Sequence, residues 1–192
     1  MKLTTTLNKI RACSPCDSGW RTLLKHVGKD FSPDAEINLL TVLESNGVAD
    51  MLWTLRAIDQ DSKRVASQLA IKFAEQALPI FETRQPDDTR PRDAIQAARD
   101  YLDGKISTDE LQACQSQTYA GDAFAGAAAG GADAAAYAYA AAAAAYAGAG
   151  AYAYAYAADA AAYAADAFAG VGGGDGVARE KQAEIIRTIL EP

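Results

Sequence analysis

Ala120–Gly170 reads AGDAFAGAAAGGADAAAYAYAAAAAAYAGAGAYAYAYAADAAAYAADAFAG. Of its 51 positions, 31 are Ala and 7 are Tyr, and Leu, Ile, Val and Met are absent. Two readings compete for this stretch. The alternation at Ala151–Ala157 has period 2, as in silk-like strands. Against it, Ala has the highest helix propensity of any residue, and runs such as Ala140–Ala145 favour helix over strand. Tyr139 and Tyr146 are seven apart, as are Tyr156 and Tyr163, and Asp159 and Asp166. That spacing puts each pair on one helical face. The reading is therefore helical, with junctions at Gly130-Gly131 and Gly148/Gly150 and pieces near 107–129, 132–147 and 151–169. Small side chains let helix backbones approach closely, and tyrosines fill the remaining gaps.

Working outward, Gly170–Gly176 is a turn and not a P-loop, because no GK[ST] follows. An amphipathic helix, about Val177–Leu190, then offers Ile185, Ile186, Ile189 and Leu190. On the other side, Ser107–Glu110 matches a capping box, in which two orphan backbone N–H groups are satisfied reciprocally. A helix about Pro91–Asp103 precedes it and stops at Gly104. Before that, a helix from Ser62 to about Phe81 carries Val65, Leu69, Phe73 and Ala77 on one stripe and Ile71 and Leu78 on another, so it is buried on two sides. Pro79 is expected to kink or end it. A helix about Val48–Asp59 is preceded by one opened by Ser32-Pro33 and stopped at Asn46-Gly47. The first helix is capped by Asp17 or Ser18, aligns Trp20, Leu23, Leu24 and Val27, and ends at Gly28. These patterns predict an all-α fold: one helical domain over 1–192, with helices of 1–106 packed against the Ala/Tyr-rich helices and terminal amphipathic helix of 107–192.

The charge balance narrows the function classes. Net charge is −7 over 192 residues. Residues 1–119 are net −2, residues 120–170 net −4 with no cation, and residues 171–192 net −1. No segment has the basic excess that phosphate neutralisation needs, which argues against duplex nucleic acid as a partner. The apolar stretch is too small-sided and too broken by Gly and Asp to span a bilayer, and the N-terminus lacks an apolar signal core. A cytoplasmic setting is the expectation. Three cysteines fit reduced thiols there. Cys13-Ser14-Pro15-Cys16 is a CxxC, but zinc would need two further ligands from Cys114 and His26, and a redox site needs a preceding strand. Buried structural thiols are the expected reading.

No nucleophile–base constellation is visible, so no catalytic residue, metal or cofactor is assigned. His26 reads as a surface residue. The residues that stand out are charges within apolar stretches: Arg56, Glu75, and Arg90 and Arg92 around Pro91. Buried charges must be paired. The structural reading pairs Arg56 with Asp50, or an Arg with Glu75 or Asp87. The functional reading makes them, with Trp20 and Trp53, a ligand-binding pocket in which Arg grips an anion and Trp stacks on a ring.

Three segments also carry a resemblance. They are Cys13-x-x-Cys16-x-x-Gly19-Trp20 through Leu24; Leu43–Gly47 followed by Leu52-Trp53-x-Leu55-Arg56; and Phe73–Glu75 through Glu82, then Pro86-Asp87-Asp88-x-Arg90-Pro91-Arg92-x-Ala94-Ile95. With the Ala/Tyr-rich tail, the chain resembles a bacterial and phage family of immunity proteins whose relatives occur beside polymorphic toxins. The resemblance implies a non-enzymatic partner that neutralises a protein toxin or defence effector by occupying it, and acidic charge suits steering toward a basic target. It brings no catalytic residues. Two alternatives stay open: a sponge for a small nucleotide-type signal, and an enzyme acting on such a molecule. The oligomeric state is not legible.

Overall fold

The computed structural model of the chain describes residues 3–58, 62–84, 86–111, 113–114 and 175–191. Thr4–Thr5 (β1) pairs antiparallel with Ile37–Asn38 (β2), Thr4 opposite Asn38 and Thr5 opposite Ile37. The helices are α1 (Leu7–Ala12), α2 (Asp17–Val27), α3 (Leu39–Asn46), α4 (Val48–Thr54), α5 (Ser62–Arg84), α6 (Arg90–Leu102) and α7 (Asp175–Leu190). A 3₁₀ turn, Leu55–Ala57, follows α4. The fold is all-α, with a two-residue ribbon as its strand content among the described residues. Beyond Cys114, the helices expected in the Ala/Tyr stretch lie outside the described residues.

Local chemistry sets the element ends; three of them differ from expectation, and one helix is unforeseen. The N-terminal segment forms α1, capped by Thr6, whose hydroxyl accepts the Lys9 N–H at 3.2 Å. Neither Asp17 nor Ser18 caps α2; the Cys16 Sγ accepts the Gly19 N–H at 3.4 Å. Ser32-Pro33 does not open α3. Ile37 and Asn38 are held extended against β1, so the helix starts at Leu39, with the Asn38 side chain accepting from the Leu40 N–H at 3.0 Å. The next helix stops at Thr54 rather than Asp59, because the chain tightens into the 3₁₀ turn, where the buried Thr5 hydroxyl donates to the Ala57 carbonyl at 2.5 Å.

The glycine stops and the capping box hold as expected. Gly28, Gly47 and Gly104 all have positive φ at helix ends, a region open to residues without a Cβ. In the capping box, the Ser107 N–H donates to Glu110 Oε2 at 2.8 Å, and the Glu110 N–H donates to Ser107 Oγ at 3.3 Å. Pro79 does not end α5, which runs on to Arg84.

The core has two parts, shared by α5. Leu69 and Phe73 face Leu3, Leu39, Met51, Leu52 and Leu55, and α7 adds Ile186 and Leu190 to the same cluster. Ile71 and Ala74 face Ala94, Ile95, Ala97 and Ala98 of α6, with Leu111 and Leu78. This is the two-sided burial that the stripes on α5 predict. Within α2, Leu23 is buried while Leu24 is exposed, so the apolar face is narrower than expected.

Candidate functional site: a tryptophan-walled cavity

Gly19 is the hinge of the site. A Cβ there would lie 2.6 Å from Asp50 Oδ2. Its absence lets α2 approach the start of α4. Asn46, the last residue of α3, joins the two. Its Nδ2 donates to the Gly19 carbonyl at 2.8 Å and to Asp50 Oδ2 at 2.7 Å, and its Oδ1 accepts the Ser45 hydroxyl at 2.6 Å. One turn on, the Thr54 hydroxyl donates to the Asp50 carbonyl at 2.7 Å.

A cavity of about 110 Å³ lies within this frame. Trp20 and Trp53 line it, with Ile10, Leu23 and Val42 as aliphatic wall and Cys16, Asn46, Asp50 and Thr54 as polar wall. Arg56 stands beside it. Its Nε donates to the Trp53 carbonyl at 3.0 Å, and its guanidinium carbon sits 4.8 Å from the centroid of the Trp53 ring. That is a cation–π contact. Asp50 pairs with Asn46; of the alternatives in the structural reading, the one present is an Arg on Glu75, supplied by Arg99.

The cysteines differ from the expected buried thiols. Cys16 is exposed, and Cys13 and Cys114 are half-buried. The Ser18 hydroxyl and then the Gly19 N–H hold the Cys16 thiol below its ordinary range, while burial and the Asp50 charge oppose the shift. Cys13 packs against the core, and its thiol meets the Arg56 carbonyl at 3.8 Å. Among the described residues, no three His, Cys, Asp or Glu side chains group to hold a metal ion.

The structure thus brings together Trp20, Trp53 and Arg56, and sets Glu75, Arg90 and Arg92 apart on α5 and α6. Glu75 takes the Arg99 guanidinium, with Nε at 2.8 Å, and Lys72 at 3.1 Å. These three line a groove of about 430 Å³ with Arg64 and Asp103. Arg90 grips Asp88 with two guanidinium nitrogens, at 2.8 and 2.6 Å, and also gives it its backbone N–H at 3.1 Å. That contact holds the Asp88 carboxyl below the usual range. Asp88 thus braces the turn ahead of Pro91. Arg92 pairs with Glu82 at 2.6 Å. His26 is exposed.

Sequence reasoning missed Gly19, Asn46 and Cys16 as site residues. Asn46 and Asp50 are four apart, but a helix break at Gly47 separates them, so no single-helix pattern joins them.

Among the described residues, no helix is long and apolar enough to cross a membrane. No curated protein and no solved structure matches the chain. One family profile does, over residues 56–189. That span holds the third of the three motif segments; the first two, Arg56 excepted, and the whole of the cavity wall precede it. The match covers well over half of the sequence, and the chain belongs to the Imm-5 like putative immunity protein family.

Proposed function

We propose that this protein neutralises a protein toxin or defence effector by binding it and covering its working surface, without chemistry of its own. The observation that carries the reading is the immunity-family match over residues 56–189. Charge supports it: a body of net −7 attracts a basic target and speeds encounter. The reading takes 1–192 as one unit acting in the bacterial cytoplasm, where the three free thiols stay reduced.

A nucleotide-type signal has less support. A sponge needs aromatic stacking and anion-gripping cations in one pocket. Here the two tryptophans line a cavity of about 110 Å³ with no Arg or Lys on its wall. An apolar cavity of about 150 Å³ takes a benzene ring, so this one has room for about one ring or side chain and offers no cation to the phosphates. The larger groove holds cations but no aromatic ring, and Glu75 already takes Arg99 and Lys72.

The test is growth protection. Tagged full-length protein captures its partner from a toxin-carrying host, and the partner is then expressed in an indicator strain with and without the protein. Restored growth and a stable stoichiometric complex on a sizing column are expected. A captured partner whose toxicity is unchanged, or protection that needs no complex, would overturn the reading.

A further inference from the structure

The cavity between α2, α3 and α4 has three properties that together select an occupant. The first is size. At about 110 Å³ it encloses room for about one side chain. The second is aromatic wall: Trp20 and Trp53 both line it, and the faces of indole rings attract cations. Trp53 already carries one guanidinium, that of Arg56, which does not itself line the cavity. The third is charge. Among the described residues, Asp50 is the one carboxylate on the wall. Its Oδ2 is fixed by Asn46, while its Oδ1 has no hydrogen-bond partner among the described residues.

We propose that this cavity receives one arginine side chain of a protein partner, with the stem between Trp20 and Trp53 and the guanidinium at the Asp50 carboxylate. A flat guanidinium both stacks on aromatic rings and donates to a carboxylate, which a compact ammonium does less well. Arginine and tryptophan are also the residues that dominate interface energetics when buried at an interface centre. The net charge of −7 favours a basic partner at longer range. The inference deepens the toxin-neutralising reading and rests on it for the identity of the partner. It places the anchor in the segment that precedes the family-matched span.

The chain has two tryptophans, both on the cavity, so the two indole N–H signals in a ¹⁵N spectrum report on it alone. Titration of the full-length protein with N-ethylguanidinium, the head of an arginine side chain, is expected to move both signals saturably. N-ethylurea, its neutral isostere, is expected to move neither. Asp50→Asn should weaken the guanidinium response about tenfold, the loss typical of a charge-assisted hydrogen bond. Should that variant fail to fold, Trp20→Leu carries the test through the remaining Trp53 signal, which should then lose its response. Equal shifts with N-ethylurea, no shift with N-ethylguanidinium, or an unchanged response in the folded variants would each overturn the inference. Growth protection without an indole response sinks the arginine site alone. An indole response without protection sinks the neutralising reading alone.

Discussion

At the scale of single residues, the site depends on an atom that is missing. Gly19 has no Cβ, and Asp50 Oδ2 occupies the space where one would sit. Gly19→Ala gains about 1 kcal/mol of helix propensity. It also forces the carboxylate away from Asn46, and overpacking of this kind costs about 1–3 kcal/mol. We expect a net loss of about 1 kcal/mol in urea unfolding, with both indole signals displaced. Cys16 makes a second prediction. A thiol held below its ordinary range carries more thiolate at neutral pH, and thiolate is the nucleophile. Iodoacetamide should therefore label Cys16 ahead of Cys13 and Cys114. Its rate-against-pH midpoint should lie below that of a free cysteine and rise in Ser18→Ala, which removes the largest cause of the shift. Equal labelling of all three thiols would contradict this.

At the scale of elements, helix starts follow whichever acceptor the local backbone places within reach. The Ser107–Glu110 box forms as its sequence predicts, because both partners lie within four consecutive residues. Ser107→Ala should cost about 1 kcal/mol, seen as a lower midpoint in thermal unfolding. At the start of α6, Asp88 is ionised at a lower pH in the folded chain than in the unfolded one, through Arg90. Its contribution to stability is present above the unfolded carboxylate range and is lost as pH falls through the folded value. The pair is partly exposed, so the effect is below about 1 kcal/mol. Asp88→Asn should shrink the drop in melting temperature between neutral pH and about pH 3, and an unchanged drop would show that the pair does not titrate with folding.

At the scale of the whole molecule, α7 closes the core. Ile186 and Leu190, from the end of the chain, sit in the same cluster as Leu3 and Leu7 from its beginning, and α7 packs on α5, α3 and α4. Ile186 is fully buried. Ile186→Ala should cost about 2–5 kcal/mol in denaturant unfolding. An exposed surface isoleucine would cost far less, so a change under about 0.5 kcal/mol would mean that α7 does not belong to the folding unit.

The amino-acid sequence by itself determined what depends on neighbours along the chain: the helical class, the glycine stops at Gly28, Gly47 and Gly104, the capping box, and the two apolar stripes of α5. Each rests on spacings of a few residues, where backbone geometry dictates contact. The tertiary structure alone decided what depends on residues far apart. Pairing with Thr4–Thr5 delays the start of α3, and the close approach of α2 at Gly19 joins Trp20 to Trp53 around Asp50. It also separates Glu75, Arg90 and Arg92 from those tryptophans, because α5 turns its second face to α6, where Glu75 takes Arg99 and Glu82 takes Arg92, while Arg90 folds back on Asp88. Spacing along a chain carries no record of which helix faces will meet, so the cavity became legible only once the helices were packed.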